Sequence, residues 1–138
     1  MALDFSALQR ALASLGRAAE RSLREPQDDE VRDAVIQRFE YCYELSWKML
    51  KRQLELELPN PADADRMSFA DLVREGAERG LVAQPDRWLT YRHQRNVTSH
   101  AYDEMKAREV HAAALEFLVD ARALLGALQA RGRHGDGR

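Results

Sequence analysis

Arg95, His100 and Tyr102 fall within eight residues of one another in the stretch "RHQRNVTSHAYDEMK", with Asn96, Thr98 and Ser99 beside them. These side chains suit work on a phosphodiester. The planar guanidinium of Arg95 can hold phosphate oxygens and stabilise developing negative charge. His100 can move a proton near neutral pH. Tyr102 can donate a hydrogen bond, stack on a base or carry a modifying group on its hydroxyl. The set calls for no metal and no cofactor. The four histidines, at 93, 100, 111 and 134, make no metal-ligand spacing.

Positioning is the difficulty. In one unbroken helix, five residues at about 100° each would set Arg95 and His100 roughly 140° apart. Arg92 and Arg95 would share a face, as would Arg95 and Ser99, but Arg95 and His100 would not. They can converge if the helix ends between them or if they meet across a subunit interface. Thr98, Ser99 and Asp103 are residue types that favour helix ends. In an extended connector His100 and Tyr102 would point the same way. The spacing therefore predicts a helix, a short break, and a new helix starting near Asp103. Taken on the residues alone, a helix-end hydrogen-bond cluster remains the commoner explanation, because one arginine near one histidine is an ordinary occurrence.

The rest of the chain supplies helices to carry this segment. Apolar residues recur at helical spacing. One stripe runs Phe5, Leu8, Leu12, Leu15, Ala19 and Leu23, with Asp4 as a cap, and stops near Pro26. A second runs Val31, Val35, Phe39, Cys42, Leu45 or Ser46, Met49 and Leu54, with Asp28 as its cap and Arg38, Lys48, Lys51 and Arg52 on its polar side. Tyr41, Tyr43 and Trp47 are expected to pack against other helices. Glu40 and Glu44, four apart, are surface neighbours rather than a metal pair, and Cys42 is expected to be a small buried residue.

"LPNPADADRM" reads as a loop. Ser68 and Asp71 resemble a capping box for a short helix ending at Gly80, and Pro85 suits the first turn of the next. A last stripe includes Met105, Val110, Ala114, Phe117, Leu118, Ala121, Leu125 and Leu128. The expected fold is all-α: an antiparallel up-and-down bundle of about five helices in one domain, residues 1–130, with 131–138 as a flexible polar tail. The broad apolar faces leave room for a dimer.

The 138 residues are 45% hydrophobic and 32% charged, which excludes a disordered chain, and the net charge of −2 confines any RNA contact to a local patch. A single cysteine excludes an intramolecular disulfide framework. With no apolar run long enough for a membrane and no secretory pattern at the start, a cytoplasmic protein is expected.

Two segments also carry a family resemblance. "IQRFEYCYELSWKMLKRQL" resembles the long second helix of the nucleotidyltransferase substrate-binding protein family, a branch of the HEPN superfamily. "RNVTSHAYDE", with a tryptophan upstream in "DRWLTYRHQRN", resembles its second signature. The similarity covers about Asp4 to Leu128; the loop from Pro59 to Met67 departs from the family's usual wording. The resemblance implies a HEPN-like helical bundle that forms a homodimer, with two Arg-x4-His-x-Tyr motifs facing each other across a cleft. It implies a minimal nucleotidyltransferase (MNT) partner. In HEPN/MNT toxin–antitoxin pairs the HEPN subunit is the toxin, a ribonuclease that cleaves RNA without metal, and the partner is the antitoxin, which can adenylylate the motif tyrosine. Arg95 and His100 would then be catalytic, Tyr102 the modified residue, and Asn96 and Ser99 supporting groups. An alternative reading of the family makes the subunit a non-catalytic substrate-binding component of a nucleotidyltransferase complex.

Overall fold

A computed structural model describes residues 3–97 and 103–136, which form five α-helices and one 3-10 helix. Helix α1 spans Ser6–Arg24, α2 Asp29–Glu57, α3 Phe69–Glu78, α4 Pro85–Val97 and α5 Glu104–Asp136, with the 3-10 helix at Pro61–Arg66 between α2 and α3.

Each start has a local cause. Asp28 caps α2, its carboxylate accepting from the Glu30 and Val31 amides at 3.0 and 3.3 Å. Ser68 and Asp71 form a complete capping box at α3. Asp4 accepts from the Ser6 amide at 2.9 Å in the first turn of α1. Asp103 accepts from the Met105 amide at 2.9 Å, so α5 begins where the spacing placed it. Gly80 ends α3 with φ of 81°, a conformation other residues rarely adopt, which lets the Leu81 amide reach the Gly76 carbonyl at 2.8 Å. The expected loop after α2 is in part the 3-10 helix: the Asn60 side chain accepts from the Ala62 amide, and Pro61 supplies a fixed φ where no amide donor is needed.

Side-chain pairs give the helix directions. Arg38 of α2 donates to the Ser14 carbonyl of α1, and the two helices are joined by the short turn 25–28, so they are antiparallel. Arg32 pairs with Glu104 and Glu57 pairs with Arg131, so α2 and α5 run parallel. Ser22 meets His111, and a side chain at Gly16 would collide with the Arg122 guanidinium, so α1 and α5 are antiparallel. Arg87, early in α4, pairs with Glu116 and Asp120 midway along α5. The result is an up-down-up-down bundle in which α3 is a short insertion.

Phe117 lies at the core's centre. Its ring meets Phe39, Trp88 and Tyr91 edge-on, with centroids 5.2, 5.5 and 5.4 Å away. Tyr91 is buried and donates its hydroxyl proton to Asp120, whose carboxylate also receives Arg87 at 3.4 Å. Burial, and then the hydrogen bond to Asp120, push the Tyr91 hydroxyl well above its ordinary range. Asp120→Ala would leave that hydroxyl buried without an acceptor. We expect a loss of about 1–3 kcal/mol, read as a lower urea midpoint at unchanged slope.

Three apolar residues depart from their expected burial. Leu23 is 65% exposed, Tyr41 60% and Met105 74%. Each lies at a helix end or on the side of its helix away from the core, which a single periodicity does not resolve. Tyr43 is buried and Trp47 half-buried, as packing residues should be. Cys42 is buried, and burial pushes its thiol up to about 12, which makes it unreactive. The backbone of α5 stays helical through Asp136, beyond the point where the tail was expected to begin. Arg131 is held there by Glu57 and by the Arg79 carbonyl at 2.6 Å.

His111 joins α1 to α5 through Nε2 and the Ser22 hydroxyl, 2.9 Å apart. Ser22 donates its one proton to the Ala19 carbonyl at 2.7 Å, so His111 Nε2 must donate to Ser22. Burial, with Arg32 nearby, lowers the His111 pKa from 6.5. The unfolded chain therefore takes up this proton first as pH falls. This linkage should leave stability unaffected above about pH 6.5 and lower it progressively below that, and His111→Gln should flatten this part of the profile. Denaturant midpoints between pH 7.5 and 5 provide the check.

Candidate functional site

Helix α4 is amphipathic along two faces. Trp88 and Tyr91 enter the core. Arg92, Arg95 and Asn96 face a cleft of about 390 Å³ bounded by α2, the 3-10 helix and the start of α3. Arg92 and Arg95, three residues apart, share a side as the helical spacing required. The α2 wall is Tyr43, Glu44, Trp47 and Lys51; the opposite wall includes Asp65, Met67, Phe69 and Leu72.

The cleft pairs flat rings with alternating charge. Phe69 lies against Tyr43, centroids 5.8 Å apart, and stands nearly perpendicular to Trp47 at 83° and 6.5 Å. The Arg92 guanidinium sits over the Phe69 face at 5.1 Å, a cation–π contact. Arg95 Nε lies 3.7 Å from Glu44 Oε1, and Lys51 Nζ is 2.7 Å from Asp65 Oδ1. Burial pushes the Tyr43 hydroxyl up to about 12, against the pull of Arg92 and Arg95. Tyr43 is thus a neutral wall of the cleft at physiological pH.

Of the residues singled out from the sequence, Arg95 and Asn96 line this cleft together. Ser99, His100 and Tyr102 lie outside the described residues, as does the expected break after α4. Arg92, Trp47, Lys51 and Phe69 were not singled out as site residues. A signal for part of the wall was present: Glu44, Trp47 and Lys51 follow one another at i, i+3 and i+7, a stripe beside the core stripe of α2. The Ser68 capping box likewise places Phe69 at the first position of α3. Among the described residues no cluster of three His, Cys, Asp or Glu could hold a metal, and no helix is long and apolar enough to cross a membrane.

Known proteins are similar to this chain in sequence and fold. A protein of Haemophilus influenzae described as probable ribonuclease HepT is 36% identical, with 96% of each chain covered. A solved structure from the same organism, described as the fold of a substrate-binding domain of a nucleotidyltransferase, superposes with a TM-score of 0.83 at 36% identity, covering 91% of this chain and 99% of that one. A Thermus thermophilus structure reaches a TM-score of 0.71 at 28% identity, covering 88% and 98%. The family model described as nucleotidyltransferase substrate binding protein like matches residues 3–130. With that match covering α1 to α4, most of α5 and the cleft between them, the chain belongs to the nucleotidyltransferase substrate-binding protein family, and its all-α bundle is the HEPN-type fold.

Proposed function

We propose that the chain is a HEPN-type toxin, a ribonuclease that works without metal in the cytoplasm as a homodimer and is neutralised by a minimal nucleotidyltransferase. The observation that carries this is Arg95 on the cleft face of α4, beside Arg92 and a wall of aromatic rings, five residues before His100 in the chain. The probable ribonuclease relative supports it.

Arg95 holds the non-bridging oxygens of the scissile phosphate. His100 accepts the proton of the 2′-hydroxyl, the 2′-oxygen bonds to phosphorus, and the bond to the 5′-oxygen breaks. The leaving oxygen takes a proton, which leaves a 2′,3′-cyclic phosphate and a 5′-hydroxyl; no water is consumed. Asn96 and Ser99 support the phosphate pocket. A dimer would bring two such motifs to one cleft. The test is RNA cleavage by the pure protein in chelator, beside His100→Ala. Equal inactivity of both on diverse RNAs, with no growth arrest on expression, rejects the toxin.

Control would act at Tyr102. The Tyr102 oxygen attacks the α-phosphorus of ATP on the partner, pyrophosphate leaves, and the phenolic proton passes to solvent. The added phosphate can pair with Arg95 where substrate phosphate would bind, so modification blocks RNA by charge and by volume. With cognate partner, ATP and magnesium, the intact mass should rise by one AMP, and Tyr102→Phe should abolish the rise. Tyr43 and Tyr91 are buried, so exposed Tyr41 is the informative competitor in peptide mapping. Label on Tyr41 would reject the mechanism.

A second reading, a non-catalytic subunit that presents substrate to the nucleotidyltransferase, is favoured by one feature of the cleft. Asp65 already offsets Lys51, and Glu44, shared with Lys48, offsets part of the charge of Arg95. That reading requires a stable complex with the partner and no cleavage.

A further inference from the structure

We propose that the cleft beside Arg95 is a stacking subsite for one nucleotide of single-stranded RNA, with the base on Trp47 and Phe69 and its phosphate at Arg92; this rests on the RNA-binding reading above. Trp47 is half-buried, its ring meets that of Phe69 at 83°, and Lys48 Nζ lies over the Trp47 ring at 5.9 Å, which leaves the opposite face for a base. Such a corner offers a planar base one face to stack on and one ring to abut. Base–aromatic stacking of this kind tolerates any base.

The charges select the rest of the ligand. Lys51 is held by Asp65, and Arg95 is close to Glu44. Arg92 has no carboxylate partner among the described residues; it rests on Phe69. The cleft therefore favours a ligand with one phosphate per ring over a polyphosphate. Its volume of about 390 Å³ is at the small end of the ~300–1,000 Å³ usual for ligand sites, room for one base rather than a base pair. The subsite would thus fix the register of a strand whose neighbouring phosphate lies at Arg95.

The protein carries its own reporter. It has two tryptophans; Trp88 is buried in the core and Trp47 lines the cleft. The probe is a 2′-O-methylated single-stranded pentanucleotide, which cannot be cleaved through its 2′-oxygen. Binding should quench Trp47 fluorescence. Trp47→Leu should weaken affinity about 5- to 150-fold, and Trp47→Phe, which keeps a ring and the packing, should recover part of it. Arg92→Gln, at an exposed position, should reduce the slope of log affinity against log salt by about 0.7. A duplex of the same sequence should bind more weakly than the single strand. Wild-type affinity in Arg92→Gln and Trp47→Phe, no quench on binding, or a duplex that binds as well, would each overturn the subsite. So would a cleft that ignores the oligonucleotide and shifts Trp47 emission only when the protein partner docks. The two proposals fail separately: cleavage with unchanged KM in Trp47→Phe and Arg92→Gln removes the subsite alone, and stacking without cleavage by wild type removes the nuclease alone.

Discussion

RNA cleavage is expected to fall about 10²–10⁴-fold in His100→Ala, the range set by losing a positioned general base. The size of the drop separates the readings. A residue that only caps a helix would change stability and leave any cleavage rate intact at temperatures well below unfolding. Arg95→Ala, which on the proposed mechanism removes the phosphate-binding group, should also cost rate, because charge stabilisation in the transition state is lost. Its loss should be accompanied by a change in salt dependence, which His100→Ala should not show. Single-turnover cleavage of a labelled RNA in chelator, at several salt concentrations, measures both. A chelator-sensitive rate, or a 3′ end without cyclic phosphate, would contradict the proposed chemistry directly.

Phe117→Ala is expected to cost about 3–5 kcal/mol, the largest stability loss of any single truncation proposed for this bundle. The reason is geometric. Phe117 is fully buried, and Phe39, Trp88 and Tyr91 each present a ring to it within 5.5 Å. Deleting the ring removes three edge-to-face contacts at once and leaves a cavity whose walls come from α2, α4 and α5. Those walls are held by other anchors: Tyr91 by Asp120, and α2 by Arg38 and Glu57. The cavity should therefore close only in part. Phe117→Leu should cost less, since it keeps most of the apolar volume. Denaturant unfolding with unchanged slope gives the value, and a loss near 1 kcal/mol would mean the site collapses freely. Because α4 also carries Arg92 and Arg95, both variants should loosen the cleft and weaken oligonucleotide binding in the same order.

Much of the bundle was legible in the chain because its causes are local. Caps at Asp28, Ser68 and Asp103, the turn at Gly80 and the proline at the head of α4 depend on residues within one turn of each other. Helical stripes such as Val35, Phe39 and Cys42 reveal a buried face without naming what covers it. Local rules also failed locally: the stretch after α2 looked like open loop, yet Asn60 and Pro61 start a 3-10 helix that forms one wall of the cleft. The sequence by itself determined helix starts and the pairing of Arg92 with Arg95 on one face, and it supplied Arg95, His100 and Tyr102 as the residues on which the proposed chemistry rests. Tertiary structure alone decided that Trp47 and Lys51 of α2, Asp65 of the 3-10 helix, Phe69 of α3 and Arg92 of α4 meet around one space. The physical reason is that spacing along a helix states which side chains share a face. Which faces then meet depends on how the bundle buries its core, and that choice is made by Phe117, far along the chain from the cleft, packing against Phe39, Trp88 and Tyr91 on the helices that form the cleft walls.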